Sequence, residues 1–241
     1  MLRSILLILI FIFTIVGGKY QANKTLRKTA SRYIGSPIIF DRLNRAQQLH
    51  LEKVFHDLKI HQNAKVADVG AGGGWLTVRL AKFIGPNGKV YAEDILSRYI
   101  SYIDKEIKRH ELNNVEIILG STTDPKLPEN TLDAVIILNS YHEFEKPITM
   151  LTKIRQAMKI GARLGILDRD TDQMRIDARE AYAKTGYILH HINETLIDNY
   201  LTNNHYLALD IVVREATLVG LTFLFSRELG GDYYIAVFSN S

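Results

Sequence analysis

The hydrophobic positions of this chain form short apolar runs that alternate with stretches of helical periodicity. A run that starts at Val66 reads as a buried strand, and it leads into a glycine-rich turn and then a helix over about 75–84. Gly88–Asp94 reads as a second strand, and a third apolar run extends from Asn114 to Leu119. Such an alternation of strands and helices is typical of α/β proteins.

Helices are predicted where apolar residues recur at helical spacing and would pack against the sheet. One begins after Asp41, one covers about 75–84, and one covers Ser97 to Arg109. Their apolar faces comprise Leu51, Val54, Phe55 and Leu58, then Leu76, Leu80 and Phe83, and then Ile100, Ile103 and Ile107. Pro147 predicts the first turn of a further helix, because proline loses no helical hydrogen bond at that position.

The most informative motif is the glycine-rich turn after the first strand. Asp68 stands two positions before Gly70, and Gly72 and Gly74 follow. Glycine permits positive φ and lets the backbone approach a ligand closely, and the free N–H groups of the next helix point at the same place. A dehydrogenase fingerprint has its third glycine three positions after the second. Trp75 occupies that position, so a nicotinamide oxidoreductase is the least favoured function considered.

This glycine spacing, together with the preceding acid, resembles motif I of the class I S-adenosylmethionine-dependent methyltransferases. The resemblance covers roughly residues 40–168 and 208–238, where further segments resemble the family's strands in order. Those segments are Gly88–Asp94, Asn114–Leu119, Leu127–Leu138, Ile160–Asp168, Leu221–Phe225 and Tyr233–Phe238. The resemblance implies an α/β fold with a Rossmann-like, seven-stranded, mostly parallel sheet, a C-terminal antiparallel hairpin and helices on both faces.

The resemblance also implies S-adenosyl-L-methionine as the cofactor. Asp68 would orient the loop, and Asp94 would accept hydrogen bonds from both ribose hydroxyls across the switch point of the sheet. Glu93 is the alternative ribose ligand, and capping of the strand ends is the alternative role for both aspartates. Ser121 and Thr122 stand where the family often has an acid near the adenine amine. The implied cofactor-binding residues are Asp68, Gly70, Ala71, Gly72, Gly74, Asp94, Ile95, Ser121, Thr122 and Asn139.

The acceptor side is predicted at Asn139–Glu143, which follows the fourth strand where the transferred methyl group should emerge. Enzymes that methylate DNA amines have an Asn/Asp-Pro-Pro-aromatic motif there, and Ser140 breaks it, so a planar exocyclic amine is disfavoured. Tyr141 and His142 are the best placed candidates for catalysis. A neutral His142 could take a proton from a hydroxyl or an acidic carbon, because its unperturbed pKa is about 6.5. The alternative is a structural histidine, hydrogen-bonded beside Glu143.

Composition excludes several chemistries and partners. The chain has no cysteine, which excludes thiolate methylation of cytosine C5, thiol-dependent arsenic methylation and iron–sulfur radical chemistry. His61, His110, His190 and His191 have no spacing with nearby carboxylates that is typical of a metal site, so no metal is predicted. The net charge is +4 and the pI is about 9.1. No basic stripe is visible in the catalytic region, so no nucleic-acid partner is expected.

Residues 1–18 form a hydrophobic N-terminal segment, which is either a membrane anchor or a signal sequence. As a helix, Ser4 to Gly18 would reach about 22 Å, short of the ~30 Å hydrocarbon layer, which favours a secretory signal cleaved near Gly18. The cations of the basic linker at 19–40 would instead keep the linker on the cytoplasmic side of the membrane, where they would attract anionic lipid. Because S-adenosylmethionine is held in the cytosol, the favoured interpretation is an uncleaved anchor with a cytoplasmic catalytic domain. Export after cleavage is the alternative.

Residues 41–241 are predicted to form the methyltransferase domain. The stretch 169–207 does not fit the strand–helix alternation and is interpreted as a lid or substrate-selecting insertion, with a solvated helical excursion as the alternative. The predicted function is methyl transfer to a small, membrane-associated acceptor, such as a quinone precursor or a lipid, because the chain resembles the broad group that includes quinone C-methyltransferases. The second interpretation is a non-catalytic S-adenosylmethionine-binding scaffold or regulator at the membrane.

Overall fold

The computed structural model describes residues 29–30, 32–33, 44–170, 205–230 and 232–241. Its strands are β1 (Lys65–Val69), β2 (Lys89–Asp94), β3 (Val115–Leu119), β4 (Leu132–Leu138), β5 (Met158–Arg169), β6 (Thr222–Glu228) and β7 (Tyr233–Ser239). They form one seven-stranded sheet in the order β3-β2-β1-β4-β5-β7-β6. β1 to β5 pair in parallel, whereas β7 is antiparallel to both β5 and β6. The predicted mostly parallel sheet with an antiparallel hairpin is confirmed.

Helices cover both faces of the sheet because each strand alternates its side chains between two cores. The helices are α1 (Arg45–Gln48), α2 (Leu51–Asp57), α3 (Trp75–Ile84), α4 (Ser97–Arg109), α5 (Pro147–Ala157) and α6 (Leu209–Leu218). α2 and α3 share a core with Ala134 and Ile136 of β4, whereas α5 and α6 share the other core with Val135 and Ile137. Burial on both faces explains why β4 is a continuous apolar run.

The predicted helices are present, but two of their buried faces differ from the prediction. α3 and α4 have the predicted bounds. In α3, Phe83 is only partly buried, whereas Trp75 is buried. In α4, Ile103 is fully buried, but Ile100 and Ile107 are only partly so. Helical spacing locates the apolar face of a helix, but the neighbouring elements decide how far each residue on it is covered.

The fifth strand begins at Met158, two residues earlier than predicted. Between the pairs Leu132–Met158 and Ala134–Arg163, β4 advances by two residues while β5 advances by five. Gly161 lies in this irregular stretch with φ 82, a left-handed conformation that glycine adopts without steric cost. Gly161 therefore lies in a bulge inside β5.

The N-terminal segment 1–18, most of the linker 19–40 and residues 171–204 of the predicted insertion lie outside the described residues. Among the residues that are described, no helix combines the length and the apolar character that crossing a membrane requires. The two ends of the predicted insertion meet beside β5, because the N–H of Leu207 donates to the carbonyl of Arg169 at 2.8 Å.

β1 and β4 end side by side, with almost no space between the turns that follow them. Gly70 follows β1 with φ 72, and a Cβ atom at this position would stand 2.7 Å from the Cβ of Ser140, which follows β4. The hydroxyl of Ser140 donates to the carbonyl of Val69 at 3.3 Å, which holds the two turns together. Position 70 therefore needs glycine for its backbone conformation and for its lack of a side chain.

We expect Gly70→Ala to destabilise the protein more than Gly161→Ala. Both glycines have positive φ, so alanine should cost about 1–2 kcal/mol of unfolding free energy at either position. At Gly161 the new methyl group meets no atom within 4 Å, whereas at Gly70 it collides with Ser140. Denaturant unfolding of the full chain measures both costs.

The double variant Gly70→Ala/Ser140→Gly should recover part of the extra loss, because it removes the colliding side chain. Equal destabilisation by the two single variants would show that Ser140 does not restrict position 70.

Candidate active site

A cavity of about 410 Å³ lies at the carboxyl ends of the parallel strands. Its size is within the range of about 300–1,000 Å³ that is typical of ligand pockets. The strand order reverses between β1 and β4, and open α/β sheets bind their ligands at such a reversal. The predicted site residues that line the cavity are Asp68, Gly70, Ala71, Gly72, Asp94, Ile95, Ser121, Thr122, Asn139 and His142.

Asp94 connects the end of β2 to the glycine turn. Its Oδ2 accepts a hydrogen bond from the N–H of Gly72 at 2.9 Å, and its Oδ1 accepts one from the N–H of Leu96 at 2.9 Å. Burial raises the pKa of Asp94, while these two backbone donors act in the opposite direction. The carboxylate is thus held at the cavity in the position predicted for the ribose ligand.

Asp68 connects the end of β1 to the first turn of α3. The hydroxyl of Thr77 donates to Oδ2 of Asp68 at 2.6 Å, and both side chains are buried. Burial raises the pKa of Asp68 to about 6, although the hydrogen bond from Thr77 lowers it. The contact links the elements on either side of the glycine turn, which agrees with the loop-orienting role predicted for Asp68.

Two buried side-chain oxygens at the cavity have no hydrogen-bond partner among the described residues. They are Oε1 of Glu93 and Oδ1 of Asn139, and both residues line the cavity. Asn139 has φ 53, a left-handed conformation that asparagine tolerates better than most residues. Because buried polar atoms are rarely left without a partner, these oxygens indicate that a ligand with hydrogen-bonding groups belongs in the cavity.

Glu93 differs from Asp94 in its protonation. Its Oε2 accepts a hydrogen bond from the N–H of Gly70 at 3.3 Å. Burial, and then the charge of Asp94, raise the pKa of Glu93 to about 8. Glu93 is therefore mostly protonated at neutral pH, which favours Asp94 as the ionised acceptor for ribose hydroxyls.

Two of the predicted site residues do not line the cavity. Gly74 immediately precedes α3 with φ 84, a left-handed conformation that glycine adopts without steric cost. Tyr141 is 0% exposed, and its hydroxyl donates to Oε2 of Glu215 at 2.7 Å. The structure therefore gives Gly74 a backbone role in the turn before α3 and places Tyr141 in the core, away from the cavity. Residues 141–143 form a 3-10 turn, in which consecutive side chains point in different directions, so Tyr141 enters the core and His142 reaches the cavity.

His142 is 2% exposed and is bound by the carboxylate at the end of β5. Its Nδ1 lies 2.8 Å from Oδ1 of Asp168, and its backbone N–H donates to Oδ2 of Asp168 at 3.1 Å. Burial lowers the pKa of His142, but Asp168 and Glu143 raise it, and the balance is about 9. The surroundings therefore favour a protonated imidazole at neutral pH, in contrast to the neutral base expected from the sequence.

His205 and Glu143 complete a cluster around His142. Nδ1 of His205 lies 3.1 Å from Nε2 of His142. Oε1 of Glu143 lies 3.7 Å from Nε2 of His142 and 3.6 Å from Nδ1 of His205. Burial, and then the charge of His142, lower the pKa of His205. All three residues line the cavity, so its end over β4 and β5 brings two imidazoles and a carboxylate together.

The described part of the basic linker lies against this end of the cavity. The N–H of Ala30 donates to the carbonyl of His142 at 3.1 Å, and the N–H of Tyr33 donates to Oε1 of Glu143 at 3.0 Å. Tyr33 and Arg32 also line the cavity. These residues, predicted only as a linker, are therefore part of the site.

Asp168 and His205 are site residues that were not predicted from the sequence. Asp168 carried a signal, because it is an acid at the end of a predicted parallel strand, and such ends meet at one edge of the sheet. His205 carried none, because 63 residues separate it from His142 and no spacing rule connects the two.

The raised pKa of Glu93 predicts how stability changes with pH. A carboxyl group whose pKa rises from 4.5 to about 8 on folding contributes stability below its unfolded pKa, and this contribution is lost as the pH rises through the folded pKa. Glu93→Gln cannot ionise, so we expect it to gain stability relative to the wild type as the pH rises from about 5 to about 8. Denaturant unfolding at several pH values measures this, with Glu116→Gln, an exposed position on β3, as the control. A pH-independent difference between Glu93→Gln and the wild type would contradict the expectation.

Comparison with known sequences identifies the family. A family model described as a methyltransferase domain matches residues 60–213, more than half of the chain. A demethylmenaquinone methyltransferase from Geobacillus sp. (strain WCH70) is 27% identical over 134 residues, 54% of this chain and 57% of the relative. One from Listeria welshimeri is 25% identical over 134 residues, with coverage of 54% and 57%. The chain thus spans little more than half the length of these curated relatives.

Comparison with solved structures supports the same fold. The crystal structure of a SAM-dependent methyltransferase from Aquifex aeolicus has a TM-score of 0.68 and 21% identity, and the match covers 85% of this chain and 97% of that one. A likeness at this identity shows the fold alone, whereas the family model covers the glycine turn, Asp94 and His142. The chain belongs to the class I S-adenosylmethionine-dependent methyltransferase family, whose cofactor is S-adenosyl-L-methionine.

Proposed function

We propose that the protein methylates a small, membrane-associated acceptor, either a quinone precursor or a lipid-like molecule. The observation that carries the proposal is that the residues predicted for the cofactor and those predicted for the acceptor line one cavity. The ends of β1 and β2 and the turns after β1 and β3 supply Asp68, Asp94, the glycine turn and Ser121, which form the proposed cofactor half. The turn after β4 and the end of β5 supply His142, Glu143 and Arg169, which form the proposed acceptor half. Both halves therefore open onto the same space.

The residues of the first half fit the cofactor. Asp94 offers an ionisable acceptor for ribose hydroxyls, Oδ1 of Asn139 can accept a further hydrogen bond, and a protonated Glu93 can donate one. Buried carboxylates also favour a ligand with positive charge. When bound, S-adenosylmethionine supplies a methyl group activated by its sulfonium charge. The contribution of the chain is to bind and orient this cofactor beside the acceptor and to exclude water.

The lining of the second half supports an apolar acceptor. It includes Tyr33, Leu138, Phe144 and Met150, next to the polar cluster around His142. Such a surface fits a molecule with an apolar body and one polar group at the reacting end. The activity in the names of the Geobacillus and Listeria relatives, methylation of demethylmenaquinone, supports the quinone class. His142 remains the predicted contact for the reacting end of the acceptor.

We further propose that residues 1–18 anchor the protein, with the catalytic domain in the cytoplasm. The support is in the sequence, where an apolar segment precedes a cluster of cations. An anchor would keep the cavity close to acceptors that dissolve in the membrane.

Isotope labelling tests the proposed reaction. The full chain in detergent is incubated with lipid and quinone extracts and a donor that carries a deuterated methyl group, and the products are analysed by mass spectrometry. We expect label in a quinone or lipid fraction. Binding of S-adenosylhomocysteine without label in any fraction would instead support the non-catalytic scaffold.

Mass spectrometry of the N-terminal peptide of the membrane-bound protein tests the proposed anchor. The peptide should begin at Met1 or Leu2, whereas a start near Lys19 would show cleavage.

We expect Asp94→Asn to weaken binding of S-adenosylhomocysteine by at least tenfold. Hydrogen bonds to a charged group contribute about 1.5–3 kcal/mol, and about 1.4 kcal/mol corresponds to a factor of ten. Isothermal titration calorimetry measures the affinity. Asp104→Asn is the matched control, because Asp104 is a partly exposed acid on α4 that pairs only with Lys108 among the described ion pairs. Unchanged affinity of a folded Asp94→Asn variant would contradict the assignment of Asp94.

A further inference from the structure

We propose that His142, Glu143 and His205 bind one divalent transition-metal ion of the zinc class at the acceptor end of the cavity. Among the described residues, these three can each offer one ligand atom, and the three atoms all lie within 4.8 Å of one another. The sequence predicted no metal, on the spacing of His61, His110, His190 and His191. The fold brings together two histidines that are 63 residues apart.

The distances between the ligand atoms match those in a tetrahedral metal site. Nε2 of His142 and Nδ1 of His205 are 3.1 Å apart, and Oε1 of Glu143 lies 3.7 Å from the first and 3.6 Å from the second. Two ligands at about 2.0–2.1 Å from one zinc ion, at a tetrahedral angle, lie about 3.3–3.4 Å apart. One ion can therefore reach bonding distance of all three atoms with shifts of a few tenths of an ångström.

Hydrogen bonds outside the cluster orient its ligands. Asp168 is 0% exposed and lies 2.8 Å from Nδ1 of His142. A proton on Nδ1 in this contact leaves the lone pair of Nε2 directed at the cluster, which is the carboxylate–histidine–metal arrangement of many metal sites. Glu143 is held by the N–H of Tyr33, which donates to its Oε1 at 3.0 Å. Both ligands are thus oriented before any ion binds.

A proton is the competing occupant of the contact between the two imidazoles. A proton on Nε2 of His142 would let it donate to Nδ1 of His205, 3.1 Å away, and would satisfy the contact without an ion. The carboxylates of Glu143 and Asp168 beside the pair add negative charge, so a doubly charged cation suits the cluster better than a single proton.

The ligand set indicates the class of ion. Two imidazoles and one carboxylate with an open position are typical of Zn²⁺ and other first-row divalent ions, whereas Ca²⁺ and Mg²⁺ favour oxygen ligands. The remaining position would face the cavity, which all three ligands line. The catalytic use of the ion rests on the proposed function: a hydroxyl of the acceptor bound at that position would lose its proton more readily.

Zinc titration of the chelator-treated full chain, untagged and in detergent, tests the site. Calorimetry with Zn²⁺ alone gives the stoichiometry and affinity, and Co²⁺ gives a visible absorption spectrum that reports tetrahedral coordination. The variants are His205→Ala and Glu143→Gln, with His56→Ala as a matched control, because His56 is an exposed histidine on α2. The double variant His190→Ala/His191→Ala measures any binding by histidines outside the described residues.

We expect the wild type, His56→Ala and the double variant to bind one equivalent of Zn²⁺ with similar affinity. His205→Ala and Glu143→Gln should each bind at least tenfold more weakly and lose the tetrahedral Co²⁺ spectrum. Thermal unfolding shows whether each variant is folded, and the increase in Tm on adding Zn²⁺ is a second measure of binding that should fall in the same two variants.

The proposal is wrong if the wild type binds no zinc saturably, or if folded His205→Ala and Glu143→Gln bind it as the wild type does. The proposal is equally wrong if His190→Ala/His191→Ala is the only variant that loses zinc binding. S-adenosylhomocysteine binding to the wild type is measured on the same preparation. Its presence without zinc binding would overturn the metal site alone, whereas its absence would overturn the proposed function.

Discussion

The close approach of β1 and β4 at their carboxyl ends is the constraint on which the site depends. The strand order reverses between these strands, so the segments that follow them diverge and leave a crevice. Gly70 and Ser140 lie so close there that a side chain at position 70 has no room. Because the two turns stay together, the residues after β2 and those after β4 open onto one cavity.

Buried negative charge is the second property that shapes the cavity. Burial raises the pKa of Asp68 to about 6 and that of Glu93 to about 8, which shows how unfavourable their ionised forms are without a compensating cation. At the other end, Asp168 and Glu143 raise the pKa of His142 against the effect of its burial. The same physical effect therefore favours a sulfonium cofactor at one end and a proton or a metal ion at the other.

Segments outside the strand–helix alternation complete the acceptor end. Tyr33 comes from the predicted linker, and its N–H donates to Glu143. His205 comes from the end of the predicted insertion and lies against His142. Both residues line the cavity. The ends of the parallel strands and the turns after them supply the residues predicted for the cofactor, whereas part of the lining at the proposed acceptor end comes from segments outside the sheet.

The sequence by itself determined the first three strands, the glycine turn and the acid at the end of β2, because each depends on local periodicity or on a local backbone requirement. Its resemblance to the family implied the other four strands. The sequence also placed His142 after β4. It could not determine that Tyr141 turns into the core, since one step along a 3-10 turn decides which side chain faces the cavity. Nor could it bring His205 to His142 or place Asp168 behind the imidazole. Those contacts join residues far apart in the chain, and only the packing of β4, β5 and the segments around them decides which side chains meet.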